Sequence, residues 1–146
     1  MKRVVIGIGV AALAAGSGCK SESTSAAKND TPAAVTAQID RGAQVYGMNC
    51  AKCHGDAGEG AKAPPLVGKN ALPLKREGAK KRTGEFHTAM DVAAFVTKNM
   101  PPDEEKRKAI PESDYWAVLA FDLNANGVKL TEPVTPQNAS KIVLHP

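Results

Sequence analysis

The sequence predicts an all-α domain of three to five short helices wrapped around a centre that its own side chains do not fill. Two observations give the helices. Gly42, Tyr46 and Cys50 fall at i, i+4 and i+8, and Tyr115, Val118, Leu119 and Leu123 repeat a helical spacing near the other end of the chain. The third is a shortage: the 146 residues include six aromatic side chains, while Gly and Pro take 23 positions, so loops are long and the core is thin. Working domains below about 100 residues often recruit a metal, disulfides or another aid to fold. The length excludes a large α/β enzyme, a repeat solenoid and a multi-span membrane protein.

The first segment, residues 1–18, is a targeting signal. Lys2 and Arg3 precede an uncharged run of 13 residues, Val4 to Gly16, which is too short to span a bilayer and is followed by small residues. Cys19 directly after Gly16-Ser17-Gly18 resembles a bacterial lipobox, with Gly16 where a leucine is usual. The expectation is lipidation at Cys19 and anchoring to a membrane of the bacterial cell envelope, facing the periplasm. Ordinary cleavage among the small residues is the rival. Residues 19–38 are rich in Ser, Thr and Ala, hold one aliphatic larger than Ala (Val35), and read as a flexible tether. Lys2 and Arg3 supply two of the four net positive charges, so the remaining chain is nearly balanced. That balance gives no concentrated basic face for nucleic acid.

Cys50-Ala51-Lys52-Cys53-His54 is C-x-x-C-H, the attachment sequence of a c-type haem. Two thiols at this spacing reach the two vinyl groups of one porphyrin, and the adjacent histidine projects beneath the ring to ligate iron. Three other uses of the motif fit less well. No strand of a βαβ unit precedes Cys50, as a thioredoxin-type site requires, and a structural zinc site lacks the remaining ligands. A plain disulfide leaves His54 without a role.

Residues 39–128, on these motifs, resemble class I cytochromes c. The resemblance implies the cytochrome c fold around one covalently bound haem c, held through Cys50 and Cys53 with His54 on the iron. It places Gly42 and Tyr46 where the first helix crosses the last. The turn-rich stretch 55–60 leads to Pro64, Leu66 and Gly68, which match the family's Pro-x-Leu-x-Gly segment. By that resemblance the Pro64 carbonyl accepts a hydrogen bond from His54, although the doubled proline leaves Pro65 as an alternative. Next comes an amphipathic helix over Thr88–Thr97. Asn99-Met100-Pro101-Pro102 ends it, since the prolines stop the helix and stiffen the loop. Met100 is the candidate sixth ligand, in a stretch similar to the family's Asn-Met-Pro loop. Met48 is too near the attachment site, Met90 lies within a helix, and His87 and His145 read as exposed. The last helix covers about 112–124, started by Pro111 or Ser113 and stopped by Gly127. Its aromatic residues read as core and haem wall.

Two segments are less constrained. Residues 69–82 hold six basic side chains against one acid. They form either a solvated loop or a patch from Lys69 to Arg82 that steers an acidic redox partner, and Arg76 or Arg82 is a candidate counter-ion for a haem propionate. In the tail, residues 129–146, Thr135-Pro136 reads as the start of a short helix over 138–144 that docks on the body.

The function expected is one-electron transfer between a redox donor and an acceptor, with His54 and Met100 both on iron. That leaves no open site for a small-molecule substrate, so no enzymatic turnover is expected. The alternatives are a haem enzyme or gas-binding sensor with an open distal site, and a cytochrome subunit of a larger dehydrogenase or oxidase.

Overall fold

A computed structural model describes residues 31–69, 71–78 and 81–145. The signal, Cys19 and most of the proposed tether lie outside the described residues. Among the described residues five α-helices follow in order: α1 Ala33–Asn49, α2 Ala51–His54, α3 Ala89–Asn99, α4 Glu104–Ala109 and α5 Glu112–Ala125. Among the described residues there is no named strand, and none of the helices is long and apolar enough to cross a membrane.

The α1–α5 crossing organises the domain. A Cβ on Gly42 would lie 2.0 Å from the Ala117 carbonyl oxygen, so only glycine admits this approach. One turn further along α1, the fully buried Tyr46 stacks obliquely on Phe121 of α5 at 5.2 Å. On the other side, Arg41 clamps the Asp114 carboxylate through two hydrogen bonds of 2.9 and 2.6 Å.

α1 begins earlier than the tether assignment allows. Residues from Ala33 onward are helical, and Val35 is completely buried in the main core with Val92, Leu119 and Leu123. Gln38 is a polar anchor, donating to the Val134 carbonyl and accepting from the Val134 amide, both at 2.8 Å. The single aliphatic of that stretch joins a core to which the tail also contributes Leu130, Val134 and Ala139.

α3 opens on a capping arrangement in which the Asp91 carboxylate accepts from the Thr88 amide at 2.8 Å. α4 has no counterpart in the sequence reading, because none of its residues is buried and it carries no apolar stripe. Its signals are the Asp103 cap, which accepts from the Lys106 amide at 3.2 Å, and acids first with bases last.

The tail docks, but not as the expected helix. Only Ala139–Lys141 forms a 3-10 turn. Residues 142–144 run extended along the start of α3, with Ala89 donating to Ile142 and Leu144 donating to the His87 carbonyl, both at 2.9 Å. Alternation explains the choice: Ile142 and Leu144 face the core while Val143 is 55% exposed, a period of two that a helix cannot provide.

The crossing yields a paired prediction. Gly42→Ala should destabilise the purified protein by about 1–3 kcal/mol in guanidinium unfolding. Gly47→Ala on the same helix, with nothing within 4 Å of the new methyl, should be neutral or stabilising by up to about 1 kcal/mol.

Candidate functional site

α1 ends at the attachment motif. The Cys50 amide donates to Tyr46, and the Cys50 carbonyl in turn accepts from Cys53 and His54, both at 3.0 Å. This single turn brings both cysteines and the histidine to one side. Gly55, at a φ of +88°, then reverses the chain, and its carbonyl accepts from the Tyr46 hydroxyl at 2.7 Å. The aromatic ring that fills the helix crossing therefore also pins the exit of the motif.

The returning loop is tied to the turn it left. The amides of Gly60 and Ala63 donate to the carbonyls of His54 and Cys53 at 2.7 and 2.8 Å. His54 Nδ1 lies 2.7 Å from the carbonyl oxygen of Pro64, not Pro65. A carbonyl only accepts, so Nδ1 carries the proton and Nε2 keeps its lone pair. Asn126, at the end of α5, holds the same loop. Its Nδ2 donates to Leu66 at 2.7 Å, and its Oδ1 accepts from Gly68 at 3.1 Å.

These elements, with α3 and the loop after it, enclose a cavity of about 330 Å3, within the roughly 300–1,000 Å3 of small-molecule and cofactor sites. Cys50, Cys53, His54, Pro64, Leu66 and Met100 all line it. Its remaining wall is mostly apolar, with Leu72, Phe86, Phe95 and Val96 prominent. Met48, 70% exposed, is not in the wall, nor are Met90, His87 or His145. The α5 aromatics also stay off it, contrary to the expected haem wall: α5 contributes Val118 and Asp122.

The donor set fits a c-type haem. Both thiols are unbridged, one imidazole has a bare Nε2, a thioether comes from a separate loop, and the surroundings are apolar. Burial, with the nearby Asp122 carboxylate adding to it, pushes the Cys50 thiol up to about 12. Among the described residues no group of three or more His, Cys, Asp or Glu side chains gathers to hold a metal ion directly.

Sequence reasoning missed the clamps on the methionine loop. The Tyr115 hydroxyl lies 2.8 Å from the Met100 carbonyl and 3.0 Å from that of Arg107. Arg107 Nη1 donates to the Pro101 carbonyl at 3.0 Å. α4, which buries nothing, thus delivers the cation that holds this loop. The tyrosine's helical spacing marked it as core or haem wall, and its hydroxyl carried no separate signal.

The basic segment also divides. Arg82 stacks over the Phe86 ring at 3.5 Å and donates to the carbonyls of Pro73, Leu74 and Gly84. Its Nε and Nη2 are engaged with its own loop, and neither it nor Arg76 lines the cavity. Lys75 pairs with Glu85 at 2.8 Å, while Lys69, Arg76 and Lys81 are exposed. Lys80 lies outside the described residues.

Comparisons with known proteins give the chain a family. Residues 37–121 match the family described as cytochrome c oxidase, cbb3-type, subunit III. The chain is 36% identical over 89 residues to a thiosulfate dehydrogenase of Stutzerimonas stutzeri, covering 57% of this chain and 26% of that protein. It is 46% identical over 44 residues to the cbb3-type cytochrome c oxidase subunit CcoP of an Azospirillum species, covering 30% of this chain and 15% of the relative. The chain therefore spans about a quarter or less of the curated relatives it matches. The fold is similar to the crystal structure of the sulfane dehydrogenase SoxCD from Paracoccus pantotrophus. That match has a TM-score of 0.54 at 24% identity, over 95% of this chain and 68% of the other.

Tyr115→Phe removes the donor shared by the Met100 carbonyl of the loop and the Arg107 carbonyl of α4. Chemical denaturation should show a loss of about 1–2 kcal/mol, with the helical content at low denaturant unchanged.

Proposed function

The chain belongs to the cytochrome c family described as cbb3-type oxidase subunit III, and from that premise we propose that it is a mono-haem electron carrier of the bacterial envelope, in which His54 and Met100 are the residues that would ligate the iron. The observation that carries this reading is the meeting of two thiols, His54 and Met100 in the wall of one apolar cavity.

Haem c, when bound, supplies a one-electron couple between ferric and ferrous iron. The chain's residues do the rest. Cys50 and Cys53 would hold the group covalently, each through a thioether to one of its vinyl groups. The cofactor is then retained without an affinity equilibrium. His54 presents Nε2, because its Nδ1 proton is given to Pro64, and that hydrogen bond raises its basicity. The Met100 thioether favours the ferrous state and raises the potential relative to a second histidine. Tyr115 and Arg107 hold the Met100 loop in one position, so little has to move when the charge changes.

In this reading His54 and Met100 would both be engaged by the iron, leaving no open site for a substrate, and the domain would carry electrons without turnover. Lys69, Arg76 and Lys81 form the surface that steers an acidic redox partner, an effect that weakens with salt. Lipidation at Cys19 tethers the domain to the membrane. A second reading rests on the match to small parts of longer proteins: the same domain serving as the electron-delivering subunit of a dehydrogenase or oxidase. Co-purification with a catalytic chain would select it.

Absorption spectroscopy tests the ligand set. The haem-loaded protein should be low-spin and six-coordinate, show the weak methionine-to-ferric charge-transfer band, and bind carbon monoxide slowly. Met100→Ala should lose the band and bind carbon monoxide rapidly. High-spin five-coordinate iron in the unaltered protein would favour the enzyme or gas sensor instead. The same reading predicts that a Cys50→Ala/Cys53→Ala chain made without haem is largely unfolded. A well-dispersed proton NMR spectrum from it would contradict that.

A further inference from the structure

Among the described residues Asp122 is the one acidic side chain of the cavity wall, and the electron-transfer scheme does not use it. It sits one turn after Val118 on α5, so the two share the face presented to the cavity. It is 5% exposed, flanked along the helix by the buried Leu119 and Leu123, and its Oδ1 has no hydrogen-bond partner. A buried carboxyl without partners contributes nothing to stability, and an apolar side chain would pack as well there. Its presence calls for a reason other than packing.

We propose that Asp122 takes up a proton when the haem is reduced and releases it on oxidation, so that this chain moves a proton with its electron over part of the pH range. The proposal rests on haem occupying the cavity as proposed above. On reduction the donor's electron converts ferric to ferrous iron, and a proton from solvent passes to the Asp122 carboxylate. On oxidation the electron leaves to the acceptor and the proton returns to water. The net charge of the enclosed site is the same before and after, which avoids leaving a charge uncompensated in an apolar cavity.

The surroundings leave Asp122 as the group free to respond. From α1 comes Tyr46, whose hydroxyl is engaged by Gly55 and held up at about 12 by burial. Beside it is Cys50, whose thiol is consumed in the thioether. The attachment turn contributes His54, bonded to Pro64, and the next loop contributes the exposed Lys62. α3 presents Val92, Val96 and Thr97, with no titratable group, and Tyr115 on α5 is bonded to carbonyls. No hydrogen bond or ion pair joins Asp122 to His54 or Met100 among the described residues. Burial alone pushes the Asp122 carboxyl up to about 7. The sign follows. Ferric iron carries one more positive charge than ferrous, so the carboxyl is more acidic in the oxidised protein, and the potential falls as pH rises between the two pKa values.

Spectroelectrochemical titration of the haem-loaded full chain, from roughly pH 5 to roughly pH 9, tests this. The unaltered protein should lose potential with rising pH, approaching about 59 mV per tenfold change in proton concentration, which is one proton per electron. Asp122→Asn should be much flatter, retaining only the slope due to the haem propionates. Redox-difference infrared spectra of the unaltered protein should show a protonated-carboxyl band in the reduced state that disappears on oxidation. Parallel pH profiles in the two proteins, or no such band, would overturn the proposal while leaving the carrier function intact. High-spin or unbound haem would overturn that function, and this inference with it.

Discussion

The close approach of α1 and α5 at Gly42 is the constraint on which the site depends. Backbone meets backbone there, with no side chain between Gly42 and Ala117. α1 consequently delivers Cys50 to the same cavity that receives Val118 and Asp122 from α5. Tyr46 extends the contact in both directions, packing on Phe121 and donating to Gly55 at the end of the attachment turn. A bulkier residue at position 42 would separate not only two helices but also the thiols from the opposing wall.

Around that crossing, polar side chains position the loops that apolar packing cannot. Asn126 fixes the segment that carries Pro64, and Pro64 fixes the tautomer of His54. Tyr115 and Arg107 hold the carbonyls of Met100 and Pro101. Both proposed ligands are therefore restrained by groups on or beside α5. The thin core has the same explanation. Apolar side chains line a cavity instead of meeting at a centre, and the porphyrin supplies the missing surface.

The sequence made the helices and the cysteine–histidine turn legible for different reasons. α1, α3 and α5 carry apolar residues at helical spacing, and the attachment motif has a spacing dictated by covalent chemistry. α4 was not legible, because a helix that buries nothing has no stripe to read. The start of α1 was hidden because Val35 is a lone aliphatic whose core, with Val92, Leu119 and Val134, is assembled from distant parts of the sequence. The end of the tail was misread as helix, since three consecutive aliphatics do not reveal which of them will face solvent. Asp122, Tyr115 and Asn126 escaped notice because each matters through an atom that helical periodicity ignores: an unpaired oxygen, a hydroxyl and an amide.

The central claim is that one haem is covalently part of this fold. Intact-mass spectrometry of the chain, produced in a host with c-type maturation machinery and denatured before analysis, tests it most directly. The account predicts a mass increase of one haem on the denatured polypeptide, absent from a Cys50→Ser/Cys53→Ser chain made in the same way. An unmodified mass for the parent chain under those conditions, or haem that is extracted by acidified organic solvent, would contradict it.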